Sequence, residues 1–223
     1  MQRTRIKICG LTREQDVDAA VAAGTDAVGF VLYAPSPRAV TVQRAAELAR
    51  RLPPFVTPVL LFVNESAANV MAACAAIPGA CVQFHGDESP EDCLAATSGG
   101  TRAFLRAARI PLGPDAARFD LVEYAQRYSK AQAILLDAHV DGYGGGGKAF
   151  DWSLIPHGVS RPVVLSGGLH AENVIEGIFR VRPWAVDVSS GVESAKGIKD
   201  AHAIRRFCDA VREADARLAT AAT

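Results

Sequence analysis

Short apolar runs rich in valine, isoleucine and leucine occur eight times along the 223 residues, and helix or tight-turn signals follow them. A run without polar alternation belongs to a strand covered on both faces, the condition of a parallel sheet wrapped by helices. The runs are residues 5–9, 27–32, 58–63, 81–85, 102–106, 133–137, 162–166 and 185–189. Between them, Thr12-Arg13-Glu14-Gln15 reads as a capping box and Thr41 and Ser66 as N-caps. Ser89-Pro90-Glu91-Asp92 puts a cap, a proline and acids into one first turn. Ile204, Phe207, Cys208 and Val211 lay out the last helix at i, i+3, i+4 and i+7, with its acidic tail and residues 219–223 expected to fray.

Eight such units predict an α/β fold, a single-domain (β/α)8 TIM barrel of parallel strands over residues 1–223 with no second domain. A doubly wound open sheet is the alternative, but Gly10-Leu11-Thr12 follows the first run where a dinucleotide fold needs G-x-G-x-x-G. The 24 Lys+Arg match the 24 Asp+Glu, so the net field gives no reason to expect nucleic acid or an anionic membrane as partner. Five cysteines without CxxC or zinc-ligand spacing argue against a disulfide framework or a structural metal. MQRTRIKICG runs into a strand without a signal-peptide core, and no apolar stretch is long enough to span a bilayer. A cytoplasmic protein is expected.

In a barrel of this kind chemistry sits at the C-terminal ends of the strands. Ser166-Gly167-Gly168 and Ser189-Ser190-Gly191 follow the last two runs, where glycines let backbone N–H groups approach a phosphate. Gly145 and Gly147, within Gly144 to Gly147 and ahead of Lys148, offer a third loop over the same anion. Tight strand-to-helix turns would use the same glycines. Cys9 ends the first run, either as a small buried hydrophobe or as a general base, since a thiol with an ordinary pKa of about 8.5 works near neutrality once a cation favours the thiolate. Asp137 ends the sixth run. It either caps the following loop or acts as an acid, for which its ordinary pKa of about 3.9 must be raised by desolvation or a like charge such as Asp187. Arg38, in Ser36-Pro37-Arg38, is an exposed arginine or a bidentate carboxylate binder. His85 is a satisfied structural histidine or a group with a direct role in proton transfer or substrate binding.

Taken together, Lys7-Ile8-Cys9-Gly10-Leu11-Thr12, Gln83-Phe84-His85-Gly86, Leu135-Leu136-Asp137, Gly147-Lys148-Ala149-Phe150-Asp151-Trp152, Leu165-Ser166-Gly167-Gly168-Leu169 and Asp187-Val188-Ser189-Ser190-Gly191-Val192-Glu193 resemble the phosphoribosylanthranilate isomerases of tryptophan biosynthesis. The resemblance runs in order over nearly the whole chain. It departs at Gly146, where the family's loop usually carries threonine, so the resemblance there extends to a backbone contact and not to a hydroxyl. What it implies is an Amadori rearrangement of an aminoaldose to an aminoketose, with Asp137 as general acid, Cys9 as general base and no metal or cofactor. Arg38 would face the anthranilate carboxylate and Asp187 the substrate amine. The late loops would hold the phosphate of a small-molecule substrate, in a monomer or homodimer.

Two other functions are open to such a barrel. A related sugar-phosphate isomerisation in histidine biosynthesis uses an aspartate where Cys9 stands here, and a phosphate-binding module without catalysis would have lost one or both proton-transfer groups.

Overall fold

The computed structural model describes residues 3–138, 151–156 and 158–221. Eight parallel strands close in sequence order: Arg5–Cys9 (β1), Ala27–Val31 (β2), Thr57–Phe62 (β3), Cys81–Phe84 (β4), Phe104–Ile110 (β5), Ala133–Ala138 (β6), Val163–Leu165 (β7) and Ala185–Val188 (β8). Pairing of β8 with β1 sets Lys7 against Asp187 and shuts the barrel, so the open-sheet alternative is excluded. Helices Glu14–Ala22 (α1), Val42–Ala49 (α2), Ala67–Ala76 (α3), Pro90–Ala96 (α4), Leu121–Arg127 (α5), Val174–Val181 (α6) and Ala201–Thr220 (α7) surround it. Ahead of β7, among the described residues, stands a 3-10 turn at Trp152–Leu154.

Two cores result from the period of two along each strand. One parity of side chains packs outward on the helices, with Ile6, Ile8, Phe30, Leu60, Phe84, Ile134 and Leu136 in one cluster. The other parity fills the barrel with Val59, Leu105, Ala107, Ala133, Leu135, Val164 and Ala185. Lys7 and Cys9, Gln83 and His85, and Asp137 share the inward parity near the strand ends, which brings polar groups to the mouth above an apolar plug.

Local chemistry accounts for most element boundaries. Thr41, Ser66 and Asp120 each accept a backbone N–H three residues on, and Ser89 with Asp92 completes a capping box. The box read at Thr12 does not form: α1 starts after Arg13 without a side-chain cap, and the Thr12 hydroxyl donates to the Gly197 carbonyl at 2.9 Å. Strand β5 begins later and runs further than its apolar run, because Arg106 stays buried by donating to Glu88 and lying over the Tyr128 ring. The last helix does not fray where expected. Its helical residues reach Thr220, with Ala214 and Leu218 buried, and Asp215 takes the Thr4 N–H and hydroxyl at 2.8 and 2.7 Å.

Candidate active site

The mouth of the barrel is a cavity of about 230 Å³ that Cys9, Arg38, His85, Asp137, Gly167, Gly168, Asp187, Ser189 and Ser190 all line. The sequence-derived site residues therefore converge, with three exceptions. Gly145 and Gly147 lie outside the described residues. Gly191 is not in the wall: it sits in the 3-10 turn Ser190–Val192, where a Cβ would stand 1.9 Å from the Leu169 carbonyl oxygen, so it packs the two late loops together.

Cys9 is buried at the end of β1 with Gly29 of β2 as its register partner. A Cβ on Gly29 would stand 2.6 Å from the Cys9 sulfur, so this glycine makes the room in which the thiol sits. Burial pushes the Cys9 thiol up; Lys7, two residues earlier on the same strand, opposes this by charge and hydrogen bond, and Lys199 opposes it by charge. Lys7 is thus the strongest charge opposing that rise, outweighed by burial, and the sequence reading quoted it in a motif without giving it a role. A lysine between Ile6 and Ile8 in a strand with apolar neighbours is the signal that was available.

Asp187 is the counter-ion of that lysine. Lys7 Nζ donates to Oδ1 at 2.8 Å with both side chains buried, and Ser166 Oγ lies 3.4 Å from Oδ2. The like charge that Asp187 was expected to lend Asp137 is therefore compensated by Lys7. Asp137 meets His85 instead, its Oδ2 3.1 Å from Nε2, while Oδ1 accepts the Ala138 N–H. Gln83 Nε2 lies 2.9 Å from His85 Nδ1 on the far side of the ring. His85 is thus a satisfied histidine whose partner on the cavity side is Asp137.

Arg38 is not the exposed side chain that its loop suggests. Its Nε and Nη2 grip Glu193 at 2.7 and 2.8 Å, and Lys199 Nζ donates to the same carboxylate at 2.8 Å, all of it buried. The planar carboxylate that matches the guanidinium fork in this structure is the protein's own. Glu193 and Lys199 come from a two-stranded antiparallel ribbon, Glu193–Ala195 (β9) and Ile198–Lys199 (β10), which the sequence reading missed because strands of three and two residues carry no periodicity. Lys199 Nζ also donates to the Ser189 carbonyl at 3.0 Å, fixing one late loop. In the other, Gly167 and Gly168 take φ +77° and +64°, a left-handed turn that turns the chain sharply after β7 and that side chains with a Cβ rarely adopt.

A closed parallel barrel whose mouth gathers a thiol beside a buried ammonium, a carboxylate beside an imidazole and two glycine-serine loops is an enzyme of the (β/α)8 class. Comparison with known proteins narrows the class. The chain belongs to the N-(5'phosphoribosyl)anthranilate (PRA) isomerase family, whose model matches residues 6–210. It is 69% identical over 217 residues to the N-(5'-phosphoribosyl)anthranilate isomerase of Methylibium petroleiphilum, covering 97% of this chain and 98% of that one. The crystal structure of phosphoribosyl anthranilate isomerase from Thermotoga maritima superposes with a TM-score of 0.83 at 39% identity, over 94% of this chain and 99% of that chain. A second such structure, in complex with reduced 1-(o-carboxyphenylamino)-1-deoxyribulose 5-phosphate, has a TM-score of 0.78 at 36% identity, over 94% of this chain and 99% of that chain.

Proposed function

We propose that this chain catalyses the Amadori rearrangement of N-(5-phosphoribosyl)anthranilate to 1-(2-carboxyphenylamino)-1-deoxyribulose 5-phosphate in tryptophan biosynthesis, with Asp137 as acid and Cys9 as base. The observation that carries the assignment of roles is that Cys9 and the His85–Asp137 pair face one cavity in a chain of this family. Protonated Asp137 gives its proton to the furanose ring oxygen as the C1'–O bond breaks and the nitrogen lone pair forms the Schiff base. The Cys9 thiolate then takes the C2' proton, and its electron pair neutralises the iminium to give the enolamine. Ketonisation returns the Cys9 proton to C1' and the C2' hydroxyl proton to Asp137, so the two groups regain their starting states and protons and electrons balance without an external oxidant or reductant.

Lys7 supports this reading as the charge that favours the thiolate, and Asp187 keeps the lysine protonated. Gly167, Gly168, Ser189 and Ser190 would take the phosphate through backbone N–H groups and hydroxyls, while the free edge of the Arg38 guanidinium would meet the anthranilate carboxylate. Asp187 would lie nearest the substrate amine. Among the described residues no helix is long and apolar enough to cross a membrane, and the reading includes a cytoplasmic location.

The test follows the fluorescence of freshly generated phosphoribosylanthranilate with purified protein and a chelator. Rapid protein-dependent decay is expected, with a loss of about 10²-fold or more in kcat for Cys9→Ala and for Asp137→Asn while ligand affinity is kept. Turnover like that of the wild type in either variant removes that residue from the mechanism.

A further inference from the structure

The residue beneath the acid is an amide that the mechanism above does not use. Gln83 is fully buried on β4, two residues before His85 and on the same face of the strand. Its Nε2 lies 2.9 Å from Nδ1 of His85, whose Nε2 lies 3.1 Å from Asp137 Oδ2, and the Gln83 Oε1 has no hydrogen-bond partner among the described residues. A buried acceptor left unpaired is a cost that the apolar side chains beside it in the register, Leu61 and Leu105, do not carry. Among the described residues, the amide's hydrogen bond is the one to the imidazole.

That bond has a direction. An amide N–H that donates to Nδ1 occupies the lone pair there, so the ring's own proton sits on Nε2 and is offered to Asp137. The alternative, a proton on both nitrogens, would set an imidazolium against Asp137 and hold the carboxylate ionised, which an acid that must start the reaction protonated cannot use. A neutral N–H donor orients the same carboxyl without fixing its charge. Among the described residues, the other titratable or charged groups that line this cavity are Cys9 from β1, Tyr33 and Arg38 from the loop after β2, and Asp187 from β8 with Lys7 as its counter-ion, while Arg109 of β5 stands opposite Asp137 in the register and is bonded to Asp87. Among the described residues, the hydrogen bonds of the imidazole ring go to Gln83 and Asp137.

We propose that Gln83 is a positioning residue of the reaction: by donating to Nδ1 it holds His85 as the neutral Nε2–H tautomer and so keeps Asp137 available as an acid. The inference rests on the role given to Asp137, but its readout does not. Nitrogen-15 spectra of the histidine rings in the free full-length protein report the tautomer directly, with the His85 signal assigned by its loss in His85→Gln. At pH 7 the wild type is expected to show the Nε2–H pattern. Gln83→Met, of similar volume and without a donor, should bring in the Nδ1–H form and lower kcat about tenfold, with KM changed less than about threefold. Gln83→Glu, which accepts from Nδ1–H, should give an imidazolium and lower kcat about 10²-fold. An imidazolium or Nδ1–H pattern in the wild type, or an unchanged Nε2–H pattern in Gln83→Met, overturns the proposal whatever the kinetics. Failure of the wild type to turn over phosphoribosylanthranilate overturns the proposed function and leaves the tautomer result standing.

Discussion

At the scale of the residue, the site is a set of charges brought together at close range in a protein whose total charge is zero. Lys7 shows what this requires. Its ammonium is taken out of water, which disfavours it, yet Asp187 and Cys9 hold its pKa above the ordinary lysine range. Replacing it by methionine strands the Asp187 carboxylate, and an uncompensated buried charge costs about 3–5 kcal/mol in stability. The same change removes the main force opposing burial at Cys9, so the thiol should ionise at still higher pH than in the wild type. The rate of Cys9 alkylation against pH, read by mass spectrometry, should move upward in Lys7→Met, and the ascending limb of activity should move with it. Identical alkylation profiles would mean that Lys7 does not hold the thiolate. The place of Cys9, Asp137, His85 and Asp187 at the mouth was legible because strand ends in a barrel can be found from sequence, and that of Arg38 because its loop follows β2. Their partners were not, because Lys7–Asp187 and Arg38–Glu193 join residues 180 and 155 positions apart, and no local pattern records who meets whom.

At the scale of the element, the strands and most caps could be read because each is set by a few neighbouring residues. Apart from the short ribbon β9–β10, the exceptions share one cause, a distant partner that overrides the local signal. Thr12 leaves its capping box for the Gly197 carbonyl, and β5 keeps a buried arginine because Glu88 is there to receive it. The C-terminal end of α7 is the clearest case. Its polar composition suggests fraying, but Asp215 accepts both the backbone N–H and the hydroxyl of Thr4 just ahead of β1. The carboxylate fastens the last helix to the first strand. Asp215→Ala should therefore lose about 1–3 kcal/mol of stability, the cost of leaving a buried donor unpaired. Amide exchange should quicken both in residues 214–220 and at Thr4, because one bond pair serves both elements. Faster exchange confined to the helix would mean that the helix is held by its apolar face alone.

At the scale of the whole molecule, closure of the barrel buries thiols that play no part in the site, and this gives the protein a pH limit. Burial pushes Cys81 and Cys208 up to about 11 and Cys93 up to about 12, against 9.0 for the unperturbed group. The folded state therefore keeps three protons that the unfolded chain releases first. Stability from this source is fully present below the ordinary thiol pKa of about 8.5 and is lost as the pH rises through the folded values. Each thiol contributes a slope of up to about 1.4 kcal/mol per pH unit inside its window. The melting temperature should hold from pH 7 to about 8.5 and fall steeply towards pH 11. Cys93→Ala separates this cause from other alkaline effects. It removes the proton with the widest window, so the variant, though less stable at pH 7 from the lost packing, should lose less stability than the wild type between pH 9 and 11. Parallel decline of the two proteins would assign the alkaline limit to groups other than this thiol. Because Cys9 must ionise in the same alkaline direction for the proposed reaction, activity and stability are set against each other by one physical term, the burial of sulfur. On the proposed mechanism the working range lies where Cys9, whose rise Lys7 partly opposes, begins to ionise while Cys81, Cys93 and Cys208 still hold their protons.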